Sequence, residues 1–153
     1  MTKPIRNSAK AVIVQDGRLL VIRVEDQYGT AYIFPGGGQE KYEELKDTVL
    51  RECLEEIGQA VTVGELMHIR EYIGKNHEFA EWDADYHQVE FYFACSLIDP
   101  AATSYEGSNP DNHQVGVEWI PLEDLSKVRL YPKRIGEMLL AQDSSKIYLG
   151  DLN

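Results

Sequence analysis

The sequence predicts an α+β sandwich built on a mixed β-sheet, and three features lead to that reading. Three β-rich runs precede one long helical segment and three more follow it, with a second helical stretch at residues 132–141. An Asp-Gly hairpin signal joins the first two runs, and a glycine turn feeds the long helix. The composition nowhere shifts to that of a linker, so residues 1–153 read as one domain, long enough to bury a substantial core.

Residues 11–14 and 19–24 are apolar and β-rich, joined by Gln15-Asp16-Gly17-Arg18. Arg23 alternates with Leu19 and Val21 and shares their face. Its guanidinium either stays in water at a strand end or offers its fork to a pair of pyrophosphate oxygens. Residues 25–30 form a polar loop, and residues 31–34 a short strand aimed at the glycines. Beyond the long helix, residues 61–73 read as a long strand or a bent pair, with Gly64 as a bulge. Residues 74–85 read as an exposed loop in which Phe79 and Trp82 either clamp a base or sugar or pin the loop to the core. Residues 87–98 alternate: Val89, Phe91, Phe93, Cys95 and Leu97 read as core. Glu90 and Tyr92 fall on the other face, where they are placed to meet a substrate. Residues 99–112 are a second, turn-rich loop, residues 115–120 a final strand and residues 121–125 a short helical turn. Residues 132–141 read as a helix whose Ile135, Met138 and Leu139 cover the sheet. The tail carries an apolar Ile147-Tyr148-Leu149 patch suited to a sheet edge or a dimer contact.

Residues 36–59 carry the chemistry. A glycine run after Phe34-Pro35 opens a helical stretch that stops at Gly58. On that helix Glu52, Glu55 and Glu56 fall at i, i+3 and i+4, which gathers three carboxylates on one face, while Leu50, Cys53, Leu54 and Ile57 form a stripe that can be buried. Three such anions repel one another by a few tenths of a kcal/mol per pair unless a positive charge sits among them. Oxygen-only ligands of this kind suit a hard cation such as Mg2+ or Mn2+. Arg51, one i,i+4 step from Glu55, can hold part of the cluster.

Gly37, then Glu43 after five residues, then after seven more Arg51-Glu52-Cys53-Leu54-Glu55-Glu56-Ile57-Gly58-Gln59, resembles the box of the Nudix hydrolases. All fixed positions match, roughly one chance in 10^8 at a given start. Cys53 and Gln59 stand at the two aliphatic positions. Tyr42 stands where the family usually has glycine, and its bulk disfavours a positive φ, which would let the loop turn differently. The resemblance implies a Nudix-type α/β/α sandwich with a mixed β-sheet. It implies metal-dependent hydrolysis of the pyrophosphate bond in a nucleoside diphosphate linked to a further group X, such as ADP-ribose, a nucleotide sugar, a dinucleoside polyphosphate or a (d)NTP. The Gly37 carbonyl, Glu52, Glu55 and Glu56 are then expected as ligands of Mg2+ or Mn2+. Glu43 and Arg51 are expected as structural support, and Arg23, Glu90 and Tyr92 as substrate contacts. An acid from outside the box commonly joins the site in this family. Glu90, Glu106 and Asp111 are the candidates, and Glu52 or that acid would serve as base. The alternative is a Nudix-fold nucleotide-binding or regulatory module without turnover.

The chain carries a net charge of -11, with 43% apolar and 27% charged residues. That balance disfavours a nucleic-acid groove and obliges an anionic nucleotide substrate to be met by metal ions and a few arginines. No apolar run approaches a membrane span and residues 1–10 lack a signal-type apolar core, so a cytoplasmic location is expected. Cys53 and Cys95 have no metal or redox spacing and read as buried thiols. The four histidines likewise lack metal-site spacing. The oligomeric state is open, a homodimer included.

Overall fold

The computed structural model describes residues 3–108 and 113–153. The first hairpin pairs β1 (Arg6–Gln15) with β2 (Arg18–Asp26) across Asp16-Gly17, both at positive φ, the turn that matches strand twist. β3 (Gly29–Ile33) continues antiparallel to β2, and the glycines form their own short strand, β4 (Gly36–Gly38), against β1. Helix α1 (Leu45–Ile57) follows, then β5 (Val61–Ile73), helix α2 (Ala80–Asp83) and β6 (His87–Leu97). β7 (Gln114–Pro121), β8 (Leu130–Tyr131), helix α3 (Lys133–Ala141) and β9 (Tyr148–Asp151) complete the order.

The strands run β8-β3-β2-β1-β6-β5-β9, with β4 also on β1 and β7 also on β2. β1 pairs with β6 in parallel, as do β3 with β8 and β5 with β9, so the sheet is mixed as the element order predicts. Alternation along β1 separates two cores. Ala9, Ala11 and Ile13 pack with Val49, Cys53 and Ile57 of α1. Val12 packs on the other side with Leu19, Val21, Phe34, Tyr92 and Ile135 of α3. Each of the larger aliphatic and aromatic side chains among these contributes about 2 kcal/mol when withdrawn from water. The helices thus cover opposite faces, an α/β/α sandwich.

Three local expectations are corrected. The buried stripe of α1 is Val49-Cys53-Ile57 with Thr48 and Glu56 beside it, whereas Leu50 and Leu54 are exposed. The helix is rotated so that Glu56 turns in toward the glycine strand, which carries the two leucines out. Residues 74–85 are not a bare loop: a 3-10 turn and α2 order them, and Phe79 packs against Tyr28 and Tyr131. Phe79 therefore pins this segment across to the β2–β3 end of the sheet, while Trp82 remains exposed. Tyr42 keeps the left-handed turn at φ 76 with its ring in solvent, so the loop turns as a glycine there would allow. The tail becomes the edge strand β9, held at its end by Asp151, which accepts from Ile73 N–H and the Asn76 side-chain amide.

Candidate active site

The site is assembled where β4 meets α1. Leu45 starts the helix after Glu44, whose N–H donates to Asp47 at 3.0 Å, and Gly58 ends it at φ 66. Between these ends, the i, i+3, i+4 spacing delivers Glu52, Glu55 and Glu56 to one side. Glu56 turns inward: Oε1 accepts the Gly36 N–H at 2.7 Å, and Oε2 accepts the Gln114 side-chain amide at 2.5 Å. Burial pushes its carboxyl up to about 7, against the opposing influence of Lys10 and these two donors. Burial also raises the Glu52 carboxyl, with Arg51 opposing. A Cβ at Gly37 would come within 2.5 Å of the Glu52 carboxylate. This backbone therefore lies directly against that acid, and a side chain at this position would push the carboxylate aside.

Arg51 knits the remainder. Its Nε and Nη2 form a two-pronged contact with Glu43 at 2.7 and 3.0 Å, and Nη2 also donates to the Gly38 carbonyl at 3.0 Å. Nη1 reaches Glu52 at 3.0 Å and Glu55 at 3.3 Å. Glu43 further accepts from Glu40 N–H and the Thr48 hydroxyl. Arg51 above all, with those donors, drives the Glu43 carboxyl down to about 2. One guanidinium thus joins the glycine strand, the loop and two turns of helix.

Among the described residues, no three His, Cys, Asp or Glu side chains converge closely enough to hold a metal by themselves. This donor set instead suits an ion that takes one or two carboxylates and completes its shell with backbone carbonyl, water and substrate phosphate, the habit of Mg2+. The cradle at Gly37, open for want of a Cβ and faced by Glu52, fits that requirement. Beside Glu56 lies a cavity of about 260 Å³ lined by Ile22, Tyr105, Glu106, Gly107, Gln114 and Val117 among others. Its loop wall is fixed on the end of α1, where a side chain at Gly107 would overlap the Glu55 carbonyl.

The sequence-predicted residues divide clearly. Gly37, Glu43, Arg51, Glu52, Glu55 and Glu56 come together. Glu106 lines the Glu56 cavity, and Asp111 lies outside the described residues. Arg23 does not line that cavity; it stands 3.7 Å from Glu118, whose other neighbour is the Tyr32 hydroxyl. Glu90 and Tyr92 are buried on the α3 side. Tyr92 donates to Glu90 at 2.5 Å, and Arg70 donates to Glu90 at 2.8 Å and to the Leu152 carbonyl at 2.5 Å. Both faces of β6 are covered by core here, which alternation alone could not show.

Two further residues belong to the site's surroundings. Gln114 reaches Glu56 from β7, a contact set by sheet pairing across 58 positions, for which no local signal exists. Lys10 lies near enough to Glu52, Glu56 and Glu90 to favour the ionised form of each. A lone lysine interrupting an apolar strand was the available sign.

A family model described as NUDIX domain matches residues 4–141. The chain is 29% identical over 148 residues to a Xenopus laevis protein named nucleoside diphosphate-linked moiety X motif 6, covering 94% of this chain and 64% of that one. The chain thus spans less than two thirds of that relative. Among solved structures, a MutT NUDIX hydrolase from Burkholderia pseudomallei superposes with a TM-score of 0.66 at 24% identity, covering 88% of this chain and 96% of the other. An ADP-ribose pyrophosphatase from Streptococcus suis does so with a TM-score of 0.64 at 19% identity, covering 97% and 98%. At these identities the structural matches speak to fold.

Proposed function

We propose, from the premise that the chain belongs to the NUDIX domain family, that it hydrolyses the pyrophosphate bond of a nucleoside diphosphate linked to a second group, with Mg2+ or Mn2+ as cofactor. The observation that supports this most is the latch of Gly36 on Glu56, which sets the Gly37 backbone against Glu52 on the acidic face of α1. A hard dication bound there neutralises phosphate oxygens and makes water more acidic. Family members generally use divalent cations.

The residues divide the remaining work. Gly36 and Gln114 fix the Glu56 carboxylate, and the Gly37 carbonyl, Glu52, Glu55 and Glu56 are the proposed ligands, with one or two of the carboxylates to any one ion. Glu43 and Arg51 hold the glycine strand at its distance from the helix. Glu52 or the acid from outside the box is the proposed acceptor of the attacking water's proton. Glu106 is the proposed acid from outside the box, because it shares the cavity with Glu56. The relative's printed name supports a nucleoside diphosphate as the common part of the substrate.

The test is a phosphate-release screen, coupled to a phosphatase, with ADP-ribose, nucleotide sugars, dinucleoside polyphosphates and (d)NTPs. Turnover is expected on at least one class with Mg2+ or Mn2+ and none in excess chelator. Silence across the panel, or turnover untouched by chelator, overturns the proposal.

A further inference from the structure

A second cavity, of about 390 Å³, opens on the other side of the glycine strand, and no part of the account above uses it. Its lining includes Lys3, Arg6, Asn7, Gln39, Tyr86 and His87. It adjoins the proposed catalytic strand directly: a Cβ at Gly38 would overlap the Arg6 guanidinium, and the Gly38 carbonyl is the one that Arg51 holds from the acidic side. Asn7 donates to Gln39 at 3.2 Å and Gln39 N–H to the Asn7 carbonyl at 3.0 Å, which fixes the floor between them.

The charges of this cavity run against those of the molecule. Arg23, Arg51, Arg70, Arg129 and Arg134 each stand within ion-pair distance of a carboxylate, whereas among the described residues Arg6 and Arg18 have no such partner, and of these two it is Arg6 that lies against the glycine strand. Lys3 places its ammonium 3.9 Å from the centre of the Tyr86 ring, and only its backbone N–H is held by Asp85. His87 is engaged with Glu71 at 2.7 Å and so is committed elsewhere. In a chain of net charge -11, an exposed arginine fork left without a carboxylate beside a ligand-sized hollow selects for an anion brought from outside.

We infer that this cavity is a subsite for a phosphate of the substrate other than the two whose bond is cleaved, with Arg6 as its contact and Lys3 adding charge. The inference rests on the pyrophosphohydrolase reading and narrows it. Substrates with a third phosphate, nucleoside triphosphates or dinucleoside polyphosphates, are favoured over nucleotide sugars and ADP-ribose.

The experiment is isothermal titration with inorganic tripolyphosphate in chelator at low ionic strength, so neither turnover nor metal enters the readout. Wild-type protein and Glu56→Gln are expected to bind with the same affinity within about twofold, Arg6→Gln about tenfold or more weakly, and Arg6→Lys between them because a point charge replaces the fork. Wild-type protein that does not bind, or Arg6→Gln equal to wild type, overturns the subsite. Binding as described in a protein that hydrolyses nothing overturns the activity and leaves the anion site standing.

Discussion

At the scale of single residues, the site depends on positions where a side chain would be too much. A Cβ at Gly37 would displace the Glu52 carboxylate, and Tyr42 shows the converse, a bulky residue in a conformation that glycine fills without strain. The residue is 95% exposed and among the described residues its ring meets only the Lys41 ammonium, 5.6 Å from its centre, so little offsets the strained backbone. Tyr42→Gly should therefore raise stability by about 1 kcal/mol, the cost of a left-handed L-residue less the entropy that glycine adds to the unfolded chain. Urea unfolding measures this. An unchanged or lower midpoint would mean that the ring or the turn is stabilised by something other than the backbone term.

At the scale of elements, α1 was readable because its signals are local: carboxylates at i, i+3 and i+4, and a glycine at the stop. Which apolar stripe it buries was not, because that depends on Glu56 turning toward a strand 20 positions earlier. The hairpin at Asp16-Gly17 was likewise legible, whereas Gln114 and the Arg70–Glu90–Tyr92 network arise only once distant strands pair. The Glu43–Arg51 contact belongs to this scale, since it ties loop to helix. The Glu43 carboxyl falls from 4.5 to about 2 on folding. A depressed acid stabilises the fold above its unfolded value and loses that contribution as pH falls through the folded one. The gap in melting temperature between wild type and Glu43→Gln should thus be full at neutral pH, shrink below 4.5 and close by about 2. A gap that stays constant over that range would remove the ionised contact as its cause.

At the scale of the whole molecule, a chain of net charge -11 acting on the anionic substrates proposed above must confine its attraction to a few places. The sandwich does so by bringing one strand of glycines between an acidic helix, where a dication is expected, and the Arg6 cavity on the other side. Among the described residues no helix is long and apolar enough to cross a membrane. The account's central claim is a division of labour within the acidic helix, with Glu56 in the metal-binding set and Glu43 in its support. The measurement that tests it is the turnover of wild type, Glu43→Gln and Glu56→Gln on one substrate at saturating Mg2+, with folding checked by circular dichroism. Glu56→Gln should lose about 10^3-fold or more, within the range spanned by essential acid–base groups, and Glu43→Gln about 10- to 100-fold, as supporting residues do. Wild-type turnover in Glu56→Gln, or a greater loss in Glu43→Gln than in Glu56→Gln, would contradict it.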